Sequence, residues 1–236
     1  MAKWILIVTV FCLAPVSASV QADEEGGPIH RPGSSHFPYD EHTPGARHMQ
    51  QAQRAYRANM HYSAYQNYRA GARWADKFAQ FNVGVMYLRG EGADFNPARG
   101  WAWIKLSAER GYPQMVEMAD DLYALLDDEQ RRRGREIYEE ELLPDFGDEM
   151  AVDRTADRMD RERRRATGTR TGSRAMMGAL TVIDGSGQRR SGDEFYAPDK
   201  WDFERIIRFE REFMFRWAAG RVTIGETELI DDDAED

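Results

Sequence analysis

Four histidines recur at six-residue intervals near the start of the chain: His30, His36, His42 and His48. Imidazoles bind divalent metals, but a six-residue spacing in flexible chain fixes no coordination geometry, and ligand sets sit in tighter clusters. Residues 23–48 around them are rich in Gly, Pro and Ser and carry no apolar period, so they predict a disordered leader rather than a metal site. A second concentration of reactive charge is Arg161, Arg163, Arg164, Arg165, Arg170 and Arg174. Such a run would suit the phosphates of a membrane surface, another anionic polymer or an acidic protein. Asp153, Asp157 and Glu162, interleaved with it, favour a solvated helix that pairs with itself. The chain as a whole has 41 Asp and Glu against 32 Lys and Arg, a formal net charge of −9. That average field opposes nucleic acid, and no nucleic-acid partner is expected.

Catalysis finds little purchase. Carboxylates are too common for sequence proximity to identify an acid/base pair. Asp193 and Glu194 precede Phe195 and Tyr196, but the last third of the chain offers no histidine to complete such a site. There is no Gly-x-Ser-x-Gly, no phosphate-binding loop and no histidine pair at the spacing of a zinc-binding helix. We expect no catalytic residues, no metal ligands and no cofactor.

The first 22 residues bear on where the protein works. Lys3 is followed by an apolar run from Ile5 to Val16 and two small-x-small exits, Val16-Ser17-Ala18 and Val20-Gln21-Ala22. A positive start, a short apolar core and small exit residues are the parts of a secretory signal. The run is shorter than the ~20 helical residues that span a bilayer. Residues 1–22 therefore predict a signal peptide and a periplasmic or secreted protein. Cys12, the only cysteine, would leave with it, so no disulfide is available to the mature chain.

Helical spacing begins at Gln50. Ala52, Ala55, Tyr56 and Met60 predict one helix face, and Tyr62, Tyr65, Tyr68 and Arg69 continue into a second helix. In Ala79 to Gly111 the first half places Ala79, Val83 and Tyr87 at i, i+4 and i+8. Gly90-Glu91-Gly92 ends that helix, because glycine adopts the left-handed conformation found at helix C-termini. Asn96 then offers an N-cap oxygen, and Pro97 fits the first helical turn. Trp103, Ile104, Ser107 and Ala108 lie along the second helix, and Gly111 closes it. Two such helices make a hairpin. A shift of 36 residues puts Tyr87 on Tyr123, Met86 on Leu122, Ala72 on Ala108 and Ala75 on Gly111, a period that marks stacked helix pairs.

The unit Ala79–Gly111 resembles the Sel-one-like repeat family, a relative of the tetratricopeptide repeat. The matching residues are Ala79-Gln80, Val83-Gly84-Val85-Met86-Tyr87, Gly90-Glu91-Gly92, Trp103 and Ser107-Ala108-Glu109-Arg110-Gly111. Asn96, Gly100 and Ser107 depart from the family pattern, and Gly100 should weaken its helix by up to ~1 kcal/mol relative to alanine. The resemblance implies an α/α hairpin array that binds other proteins and has no enzyme activity of its own.

Phe78, Phe81, Val85 and Leu88 form a second apolar stripe on the first helix of this unit, with Arg89 at its end. By analogy with tetratricopeptide-like hairpins they match groove-lining positions and constitute the candidate partner-binding site. The aromatic C-terminal helix covering the same stripe in cis is the competing reading. If the groove is open, Phe81→Asp should abolish partner capture and leave helix content intact. The expected fold is mostly α, a short α/α helical-hairpin repeat array over 49–143 with a small α+β C-terminal appendage. Within it, a helix from Asp127-Asp128-Glu129 stops at Pro144, and 144–174 is a charged helical linker. Residues 175–236 form a strand-helix-strand unit: a strand at Ala179–Ile183, a helix opened by Pro198-Asp199, a strand at Val222–Ile224 and an acidic tail. The expected function is an exported adaptor for a protein partner, with a membrane surface contacted through the arginine run as the alternative. The sequence sets neither the partner's identity nor the oligomeric state.

Overall fold

The computed structural model describes residues 42–166, 177–183 and 187–219. The signal segment, residues 23–41 of the leader, the Val222–Ile224 strand and the acidic tail lie outside them. The described residues are mostly helical, with one small two-stranded sheet among them toward the C-terminal end.

Helix α1 spans Pro44–Arg57, and Thr43 caps it by accepting the Ala46 N–H at 3.2 Å. The expected leader therefore ends before residue 42. Thr43-Pro44 is an N-cap followed by a first-turn proline, a helix start that the histidine spacing obscures. Met60 falls outside α1, at the N-cap of α2 (His61–Ala72), and is exposed, as is Tyr62; Tyr65 and Tyr68 turn inward. Helix α3 spans Lys77–Arg89, capped by Asp76, and α4 spans Pro97–Ser107, capped by Asn96, which accepts the Arg99 N–H at 2.9 Å. α1 packs on α2, α2 on α3, and α3 on α4. The α3/α4 hairpin closes where a Cβ on Gly84 would stand 2.5 Å from Ile104 Cγ1 and 2.8 Å from the Gly100 carbonyl oxygen. Gly100 thus stands at a close helix approach, which accounts for its departure from alanine.

Helices α5 (Pro113–Leu125) and α6 (Asp128–Glu136) each pack on α4 around Trp101. The indole N–H of Trp101 donates to the Ala119 carbonyl at 3.0 Å, and Tyr123 lies against the ring at a centroid distance of 5.0 Å. Pro144 does not stop the chain. A π-helical turn, Ile137–Leu142, widens the helix, and Pro144 then occupies the first turn of α7 (Leu143–Phe146), where its missing N–H does no harm. Ile137, Leu142 and Phe146 enter the main core.

The expected charged linker is largely a packed helix. In α8 (Asp148–Arg165), Ala151, Thr155 and Met159 repeat every four residues and are buried. Ala151 and Met159 share a second apolar cluster with Phe203 and Ile206 of α10 (Phe203–Ala219). Between these helices, β1 (Thr181–Ile183) pairs antiparallel with β2 (Arg189–Ser191), Thr181 opposite Ser191. The polar composition of Arg189–Ser191 hid that strand from the sequence reading. The short helix α9 (Gly192–Phe195) and a 3-10 turn, Pro198–Trp201, lead into α10, which begins later than Pro198-Asp199 suggested.

Candidate functional site

Along α3, every residue from Lys77 to Gly84 is buried, as is Met86. Phe78 is 3% exposed and Phe81 5%, and both belong to the main core that Met214 and Phe213 of α10 also join. They are closed inside the protein and offer no open groove. Val85 and Leu88 are half-buried at the edge of that core, and Arg89 is exposed, its Nε donating to Glu91 Oε1 at 3.0 Å. Of the five candidate residues, the last three reach the surface. Near them the Tyr65 and Tyr87 hydroxyls meet at 2.7 Å, and burial followed by that hydrogen bond pushes the Tyr87 phenol above its ordinary value.

Sequence reasoning missed the principal polar constellation, which lies at the other end of α3. Lys77 is fully buried. Its ammonium donates to Glu109 Oε2 at 2.5 Å, Gln80 Oε1 at 3.1 Å and the Leu106 carbonyl at 3.2 Å, and it lies 3.0 Å from Asp148 Oδ1. Arg110, in the turn after α4, grips Asp148 with two nitrogens at 2.8 and 3.0 Å. Its Nη2 also donates to the Ala75 carbonyl at 3.0 Å, and its Nη1 to Glu210 Oε1 at 3.1 Å. The Tyr112 hydroxyl donates to that same Glu210 oxygen at 2.6 Å. Residues of the α2–α3 turn, α3, the end of α4, the α4–α5 turn, α8 and α10 meet here.

The charges follow from this packing. Burial drives the Lys77 ammonium below the usual lysine range and the nearby Arg110 adds to that, while Asp148 and Glu109 oppose it. Burial works against the Arg110 charge too, but Glu210, Tyr112 and Asp148 outweigh it and hold the guanidinium above its ordinary value. Burial alone would raise the Asp148 carboxyl; Arg110 and Lys77 overcome it and hold Asp148 below the usual carboxylate range. Burial and Glu210 together raise the Tyr112 phenol. The cluster has no nucleophile of the serine or cysteine kind, and its chemistry is recognition of carboxylate by cation. The only local signal was Glu109-Arg110, which occupies variable positions of the repeat turn, while Glu210 lies 100 residues from Arg110.

The other sequence candidates are dispersed. His42 is buried against Phe195 and Trp201, with ring centroids 4.6 and 5.1 Å away, whereas His48 lies within α1; His30 and His36 lie outside the described residues. Of the arginine run, Arg163 and Arg164 pair with Asp160 on their own helix, and neighbouring Arg158 pairs with Glu162. Arg170 and Arg174 lie outside the described residues. Asp193 and Glu194 sit in α9, where Ser191 caps Glu194. A depression of about 140 Å³ on the outer side of α10, lined by Arg205, Arg208, Phe209 and Glu212, is smaller than the ~300 Å³ at which ligand pockets begin. Among the described residues no helix is long and apolar enough to cross a membrane.

No protein-family model, curated protein or solved structure matches this chain.

Proposed function

We propose that the protein is an exported helical-repeat adaptor of the Sel-one-like type that binds another protein and carries no catalysis of its own. The observation that carries this reading is the hairpin stack. α1/α2 and α3/α4 pack in series, and Met86 and Leu122, 36 residues apart, both lie in the main core. Stacked helix pairs present side chains from successive repeats to a partner. The signal-like first 22 residues support work in the periplasm or outside the cell.

The test is capture of envelope proteins by the mature chain at low and high salt. A protein held at high salt by the wild type and lost with Leu88→Asp, a half-buried position at the edge of the core, supports the adaptor. Retention at low salt only would transfer binding to charge, and so to the arginine run of α8. Capture of nothing under either condition would end the adaptor reading.

A further inference from the structure

The carboxylate of Glu210 reaches the array from a helix, and Arg110, which receives it, is also held by other partners. Asp148 occupies Nε and Nη2 of Arg110, the Ala75 carbonyl takes a further Nη2 bond, and Nη1 is directed at α10. Tyr112, fully buried, aims its hydroxyl at the same point. A guanidinium fixed on two sides and a buried phenol, converging on one oxygen, form a preorganised receptor for a carboxylate. On the surrounding surface, Phe203, Ile206 and Met214 flank Glu210 at helical spacing and are buried against α8 and the main core. The buried face of α10 is thus an apolar seam broken by one acid. A buried polar contact within an apolar seam sets register and partner choice in some helix pairings.

We propose that the seat of α10 beside α5 and α8 is the helix-binding site of the adaptor. Its ligand is an amphipathic helix whose apolar face carries a single carboxylate, and α10 is the resident helix that such a ligand displaces. The inference rests on the protein-binding reading above and gives that reading an address and a partner chemistry. A helix without the acid would leave Arg110 Nη1 and the Tyr112 hydroxyl without their acceptor in a buried site, which is the basis of selection.

The experiment adds a fluorescent peptide of residues 198–219 to the full chain and follows its anisotropy. The Glu210→Gln chain, whose own helix is held less firmly, should bind the wild-type peptide about tenfold or more tighter than the wild-type chain does. The peptide carrying Glu210→Gln should lose most of that gain, and Tyr112→Phe in the receiving chain should reduce it. If Glu210→Gln does not fold, Ile206→Ala weakens the same seat from its apolar side and serves in its place. Equal binding of the two peptides, or no binding to a folded weakened chain, would overturn the proposal. Self-association of the weakened chain into dimers would also overturn it, since a second copy would then be the occupant. If peptide exchange fails while envelope capture remains sensitive to Leu88→Asp, this address is wrong and the adaptor reading stands.

Discussion

Ala75 and Gly111, 36 residues apart, hold the same left-handed backbone conformation, with φ of +56° and +70°. Each ends a helical stretch and begins the approach to the next repeat, so the turn recurs although its residue does not. Ala75 is buried against α8 and α10, where its methyl group has contacts, whereas a Cβ at Gly111 would meet nothing within 4 Å.

Gly111→Ala therefore adds only backbone strain and should lower stability by about 1 kcal/mol. Ala75→Gly relieves a similar strain but loses a buried methyl worth ~0.8 kcal/mol, and should be close to neutral. Chemical denaturation of both variants checks this; a larger loss at Ala75 than at Gly111 would mean that the two turns are not equivalent.

Acid should loosen the junction between α1 and the C-terminal unit. Burial, with Lys200 and Arg190 nearby, lowers the His42 pKa from 6.5 to about 4. The folded state thus favours neutral His42. Its stabilising effect is complete above about pH 6.5 and is lost as pH falls through 4, by about 3 kcal/mol in all. Asp148, held below the usual carboxylate range, adds a further loss at still lower pH. Thermal melts from pH 7 to pH 4 should show the decline in the wild type and a flatter profile for His42→Phe. Parallel profiles would exclude His42 as the sensitive group.

Phe81→Asp should unfold the protein rather than block its binding. The ring is buried in the main core, and a carboxylate there would lose its hydration and leave a void, at a combined cost of at least about 4 kcal/mol. Circular dichroism decides it: full helix content in this variant would mean that the position is open to water.

Some local signals in the sequence held, although Pro144 and Pro198 did not mark the helix stop and start that their types suggest. Asn96, Pro97 and Gly90 act through contacts a few residues away, and each does in the structure what its type and place suggest. Of the residues paired by the 36-residue shift, Met86 with Leu122 and Ala72 with Ala108 are buried on both sides, whereas Tyr87 and Tyr123 are half-buried and Gly111 is exposed. The stripe of Phe78 and Phe81 misled because α3 is buried on more than one side. A helix packed all round carries two apolar faces, and periodicity cannot say which of them meets water. The receptor for Glu210 was illegible for a different reason: its parts come from segments far apart in the chain, and each alone reads as an ordinary surface charge.

His42, just before α1, lies against Phe195 and Trp201 of the C-terminal unit, and Ala75 shares a cluster with α10. An open stack of hairpins can fray from either terminus, one repeat at a time. Here His42, just before the first helix, packs on rings of the C-terminal unit, so α1 cannot peel away together with His42 without uncovering them. Loss of α1 with His42 thus costs contacts of Phe195 and Trp201, ahead of α10, as well as its own.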